Sequence, residues 1–434
     1  MRLLAHPPQY RVMLRHQPYY DLLADAHEAL PIWAPTMAGL AVLELVDAAR
    51  YDRTIVDRDW TGVRAASDAV SGLREGSPFR RQLLRVIELL RDGGPSWSNV
   101  NASLFDYGRA LDYEGNWSLA VDVFGTVADI AREEREPQLA IEATTALGGA
   151  ARRSGDWTKS ADGYAQAAYL ADTLGDKASG LTVRVGTANT HIARGNNPTA
   201  KMILDDVIVE AGKSGLDNVQ ALAFHARATV AHQQADYAGA VTYAHKALDK
   251  TTNPSAKDSI MADIAAAFGE MGMRDAARDT HMVISLTSRY QWVRWQSAIN
   301  LMELAVFDGM EDAFNSYAKD LKHAALDPRL RSYFLLYYGQ GLVAFGRESA
   351  GLEAIAEARE FASQNKIYQV SHEAELALNQ AAREGRVRLA ASLPPAFETI
   401  PEEVFEVAHA MSHLRQVALS SPPVSDWYNQ PDLY

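Results

Sequence analysis

Residues 113–117 read YEGNW, residues 153–157 read RSGDW and residues 193–197 read ARGNN. The same kind of break returns as QQADY (233–237), EMGMR (270–274), FDGME (307–311) and AFGRE (344–348). Taking the small residue in each as a marker gives Gly115, Gly155, Gly195, Ala235, Gly272, Gly309 and Gly346, separated by 40, 40, 40, 37, 37 and 37 residues. A fixed period of this length is the signature of a repeat array, in which each unit is one supersecondary structure. Seven evenly spaced turns do not arise by accident.

The stretches between markers are helical. SLAVDVFGTVADIAREE (118–134) and AGAVTYAHKALDK (238–250) carry apolar residues every three or four positions, with charges on the other side. Pro137, Pro198, Pro254 and Pro328 fall where first-turn prolines are tolerated. A second set of breaks, near 135–137, 175–177, 215–217, 252–254, 290–291, 326–328 and 365–367, carries turn signals such as Gly-Asp, Asn-Pro and Asp-Pro. Each unit therefore reads as helix, tight turn, helix, short loop.

Small residues stand where paired helices must approach. Seven positions before the markers are Gly108, Gly148, Ala188, Ala228, Ala265, Met302 and Gly339. Five positions after them are Ala120, Ser160, Ala200, Ala240, Ala277, Phe314 and Gly351. Two positions after them, Trp117, Trp157 and Tyr237 are expected to act as apolar wedges that seat the second helix.

With its small residue in the first helix, Gly-Asp/Asn-aromatic turn, and Ala120–Phe124 and Ser160–Tyr164 in the second helix, the region 97–385 resembles the tetratricopeptide repeat family. The resemblance implies an all-α, right-handed solenoid of stacked helix-turn-helix repeats. It departs from the family in its period, since about 34 residues is usual and longer helices would account for the excess. The sixth repeat, with Met302 and Phe314, is the most divergent. The expected organisation is a capping region of degenerate helix pairs over 1–96, seven repeats over 97–366, capping helices over 367–420, and a Pro- and aromatic-rich tail over 421–434.

In such solenoids the first helix of each pair lines the concave face, so positions ten, six and three before each marker are groove candidates. These give Phe105, Arg109 and Asp112; Thr145 and Arg152; Val185 and Asn189; His225, Thr229 and His232; Glu303; and Leu336 and Gln340. Arg and Asn can hydrogen-bond the backbone or acidic groups of an extended peptide. The lysine and asparagine set with which some family members clamp a terminal carboxylate is not reproduced. The clusters YQWVRW (290–295) and YFLLYY (333–338) read first as core, and second as an apolar pocket able to anchor a peptide.

The remaining chemistry is sparse. Lys plus Arg is 42 and Asp plus Glu 55, a net charge of −13 that disfavours phosphate backbones, so nucleic-acid binding is not expected. The absence of cysteine excludes disulfides, thiolate metal sites and a cysteine nucleophile, and fits a cytoplasmic protein. No apolar run approaches the length of a membrane helix, and Pro, His and Arg interrupt the first twenty residues every few positions, so a cleaved leader is not expected. His409 and His413 have metal-ligand spacing, but Ala410 stands where a zinc protease needs glutamate, and no metal or cofactor is expected. No nucleophile elbow or phosphate-binding loop is present, so the chain reads as no enzyme. The expectation is a scaffold or adaptor that holds a protein or peptide in its groove. The alternatives are a peptide-sensing regulatory receptor and a self-assembling homo-oligomer that uses its terminal tails.

Overall fold

The computed structural model describes residues 15–25, 32–51, 61–91, 96–324, 326, 328–365, 367–384 and 400–420. Twenty α-helices and no strands occur among them, so the all-α expectation is borne out. The N-terminal helices are α1 (Gln17–Asp25), α2 (Trp33–Tyr51), α3 (Thr61–Ser71) and α4 (Arg80–Arg91). The repeats supply α5 (Trp97–Tyr113), α6 (Trp117–Glu133), α7 (Pro137–Arg153), α8 (Trp157–Leu174), α9 (Lys177–Ala193) and α10 (Asn197–Lys213). They continue with α11 (Asp217–Gln233), α12 (Tyr237–Lys250), α13 (Pro254–Glu270), α14 (Arg274–Thr287), α15 (Gln291–Phe307) and α16 (Glu311–Lys322). The last are α17 (Pro328–Ala344), α18 (Glu348–Gln364), α19 (Tyr368–Glu384) and α20 (Glu402–Ser420). None is long and apolar enough to cross a membrane. The chain divides into two compact units, residues 1–200 and 201–433. Within each, successive helices pack on their sequence neighbours.

The markers are turns of one geometry. All seven have positive φ, from +58° at Ala235 to +81° at Gly155. The next residue then sends its N–H back to the carbonyl five residues earlier, as in Asn116 to Leu111 (2.8 Å), Asp236 to Ala231 (2.9 Å) and Arg347 to Leu342 (2.8 Å). This is the Schellman arrangement, which satisfies carbonyls that the helix end would leave bare. Where the next residue is aspartate it also starts the second helix: Asp156 accepts from the Lys159 N–H at 3.0 Å and Asp236 from the Gly239 N–H at 2.9 Å. One residue thus closes one helix and caps another.

The change of period has a local cause. Each first helix from α5 to α19 has 17 residues. The second helices have 17, 18 and 17 residues in α6, α8 and α10, then 14, 14 and 12 in α12, α14 and α16. The three residues lost between the 40- and 37-residue periods are close to one helical turn.

The small residues do sit under rings. A Cβ on Gly108 would lie 2.7 Å from Phe124, and one on Gly148 would lie 3.0 Å from Tyr164. Gly339 and Gly351 face each other so closely that a Cβ on the former would lie 2.8 Å from the latter's carbonyl oxygen. Tyr237 is half-buried against the second unit's core, as expected of a wedge, but the expectation needs correction at the two tryptophans. Trp117 and Trp157 open their helices with 36% and 38% of their surface exposed, and the buried rings are Phe124 and Tyr164, two turns further in. In the sixth repeat the large Phe314 is fully buried and stacks on Tyr338 (5.9 Å, 9°), with space supplied by Gly341.

The N-terminal helices join the first unit's core: α2 packs on α3 and α4, and α4 on α5. Helix α1 reaches α2 and α6. The imidazole of His16, just before α1, lies 2.6 Å from Asp122 through Nδ1 and 3.3 Å from Asp47 through Nε2. Helix α20, expected to extend the cap, instead lies on α12 and α14, burying Val404, Val407 and Met411. Arg415 fixes it through a 2.6 Å bond to Asp279. The tail assigned to 421–434 and the first fourteen residues lie outside the described residues.

Candidate functional site

First helices of adjacent repeats meet side by side: α7 packs on α9 in the first unit, and α11 on α13, α15 on α17 and α17 on α19 in the second. Residues three and four apart on a helix share a face, so the groove candidates form stripes along these helices.

In the first unit, Phe105 is half-buried and the exposed Arg109 holds its guanidinium 5.9 Å above that ring. Asp112 is already engaged, since Arg153 places two nitrogens on it at 2.6 and 2.9 Å. Arg152 is half-buried with its Nε lacking a hydrogen-bond partner, and its charge acts on Tyr164. Thr145 and Asn189 are half-buried. Val185 is not a groove residue: it is buried, within a helix whose Leu181, Val183, Ala188 and Ile192 are buried as well.

In the second unit, His225 is held by Asp263 of the neighbouring first helix, with Nε2 2.7 Å from Oδ2. Asp263 lies 38 residues away, one repeat plus one position, and no spacing in the sequence singles it out as the partner. Thr229 donates to the His225 carbonyl at 3.3 Å, and His232 stands edge-on to Tyr237 at 5.2 Å. Gln340 is half-buried. Leu336 must be withdrawn from the groove. It is fully buried in the cluster with Ile299 and Met302, because YFLLYY presents apolar groups on every side of α17, and Phe334, Leu335 and Leu336 take the interior while the three tyrosines stay half-buried.

Three ionisable groups carry more than their sequence positions suggested. Arg227 is buried over the Tyr243 ring at 4.6 Å, with Asp205 at 3.2 Å from its Nε. His281 is buried near Asn300 (3.4 Å), and burial pushes its pKa down to about 4. Glu303 on α15 is half-buried, and burial together with the charge of Glu373 on α19 raises its pKa to about 7. Tyr337 of α17 lies in the fields of both carboxylates, and burial drives its pKa far upward.

A cleft of about 480 Å³ opens between the start of α14 and α20, lined by Arg274, Asp275, Asp279, Asp308, Phe405 and His409 among others. Its charges are largely spent on one another, with Arg274 and Arg278 on Asp308 and Arg415 on Asp279. His409 and His413 are both exposed on α20, and no three metal-ligating side chains converge among the described residues. Fold and site together define an all-helical repeat protein with a polar and aromatic first-helix face. No family model and no curated protein matches the chain.

Proposed function

We infer that this is a non-catalytic scaffold or adaptor of tetratricopeptide type, which holds a protein or peptide along the face of its first helices. The observation that supports this reading is that, within each unit, first helices of equal 17-residue length pack side by side and keep polar side chains half-buried or exposed. Arg109, Arg152 and Asn189 in the first unit, and Gln340 in the second, are each carried by a helix, so an extended ligand on either unit would meet donors whose orientation is already restricted. The half-buried rings of Phe105, Tyr333 and Tyr337 add apolar area of the kind that anchors peptides. A cysteine-free, acidic chain suits work in the cytoplasm.

Site-specific photo-crosslinking tests the reading. A photoreactive residue at Thr145 or Gln340 is expected to capture a partner protein in the native host, and the same residue at Lys159 or Glu353, on second helices, is not. Equal capture from both faces removes the assignment. Replacing Arg109, Arg152 and Asn189 together with alanine should then weaken capture while helicity stays unchanged.

A further inference from the structure

The first helices α5, α7, α11, α13, α15 and α17 each pack on the helix that follows them in sequence. Helix α19 is also a first helix of 17 residues, and α20 comes next, yet α20 packs on α14 and α12 instead. Those two are second helices, from the fourth and fifth repeats, so this contact does not use the stripe of groove candidates. Its mark is visible on α14. Buried residues recur there at 276–277, 279–281 and 283–284, whereas the second helix α16 buries one stripe, Phe314, Ala318 and Leu321. Helix α20 is lodged in a single cluster with Val241, Ala244, Ala276 and Ala277, whose small side chains let another helix come close.

The fit is partial. Only three of the nineteen residues of α20 are buried, Val404, Val407 and Met411, at positions i, i+3 and i+7. The adjoining stripe of Phe405, Ala408, His409 and Ser412 faces the cleft of about 480 Å³ in place of packed side chains. Asp279 is only 8% exposed, and its ion-pair partner is Arg415 of α20, at 2.6 Å. A carboxylate so buried needs a cation, so the seat selects for arginine at i+11. One short apolar stripe, one ion pair and an unfilled cleft hold a helix less firmly than close packing would. Attachment to the same chain offsets this, since a tethered helix meets its seat at an effective concentration on the order of millimolar.

We propose that α12 and α14 form a helix-binding groove in which α20 is a built-in competitor. The partner it holds off is an amphipathic helix with apolar residues at i, i+3 and i+7, a residue bulkier than Ala408 at i+4, and arginine at i+11. Recognition is of the helix-in-groove kind, and α20 supplies its template. The groove is a second surface, and the proposal does not rest on the first-helix reading.

The test uses the full chain and a fluorescein-labelled peptide of residues 402–420, followed by fluorescence anisotropy. Met411→Asp in the chain puts a charge into the seat and should release α20. That chain should bind the peptide at least tenfold more tightly than the unchanged chain, where α20 competes. A peptide with Ala408→Leu should bind the released chain more tightly than the native peptide, because leucine enters the cleft. One with Arg415→Glu should bind it at least tenfold more weakly. Circular dichroism checks that Met411→Asp keeps the helices of the array. Hydrogen exchange on the unchanged chain needs no variant: amides of α20 should be at least tenfold less protected than those of α12 and α14. Equal peptide binding by the two chains, or equal protection of α20 and its seat, overturns the proposal. An Ala408→Leu peptide no tighter than the native one overturns the requirement at i+4, and an Arg415→Glu peptide that binds equally well overturns the one at i+11. A doubled mass of the unchanged chain in light scattering, lost in Met411→Asp, assigns the seat to α20 of a second copy and overturns the partner assignment.

Discussion

Ala235 adopts φ +58° at a turn where the other six markers are glycine. A left-handed conformation costs an L-residue about 1–2 kcal/mol, while glycine's extra unfolded-state freedom costs about 0.5–1 kcal/mol. Ala235→Gly should therefore stabilise the protein by roughly 0.5–1 kcal/mol, opposite in sign to most Ala→Gly changes; a lowered melting temperature would contradict this. Gly108→Val should do the reverse. Its side chain would enter the space of Phe124, and overpacking of this kind costs about 1–3 kcal/mol, to be read from urea unfolding of the first unit. His16 gives a pH-dependent case. Burial alone would lower its pKa, but the bonds to Asp122 and Asp47 outweigh that and raise it to about 9. A pKa above the unfolded value of about 6.5 means that the contribution to stability is complete at lower pH and fades as pH rises towards 9. Protection of the α1 amides, measured relative to their intrinsic base-catalysed exchange, should fall across that window, and His16→Gln should abolish this fall.

Among the elements, α20 departs most from expectation. Its periodicity identified a helix, but the surface it covers, on α12 and α14, lies 115 to 165 residues before its first residue, and no local pattern encodes that distance. The 14-residue length of those two helices was read correctly as a shorter period, yet the loss could equally have fallen on the first helices. The turns were far more legible, because glycine and aspartate act on their own backbone within five residues. Candidate groove positions were legible only as a stripe. Whether Leu336 or Tyr337 faced outward depended on the phase of α17, which an all-round apolar helix leaves undetermined. Met411→Ala, which removes a fully buried side chain beneath α20, should cost about 2–5 kcal/mol locally and increase binding of a hydrophobic dye. An unchanged dye response would mean that α20 is not held through this stripe.

At the scale of the molecule, a repeat array has mainly neighbour contacts, so its stability is close to a sum of local terms. Phe268 is completely buried in the cluster that joins α11 to α14 with α20. Phe268→Ala should lower hydrogen-exchange protection in those helices while leaving α2 to α6 unaffected. Uniform loss across the chain would show one cooperative unit instead. The same short range explains why repetition revealed the fold whereas partner chemistry stayed obscure. Asp263 beside His225, or Glu373 near Glu303, depends on which positions of successive first helices align.

The placement of α20 also sets an order of events during synthesis. Helix α14 ends at Thr287 and α20 begins at Glu402, 115 residues later. A ribosome adding about 5–20 residues per second needs on the order of ten seconds to cover that distance. Throughout that interval the alanine-lined surface of α12 and α14 has emerged without its covering helix, so a nascent chain stalled there is the form most prone to capture by chaperones.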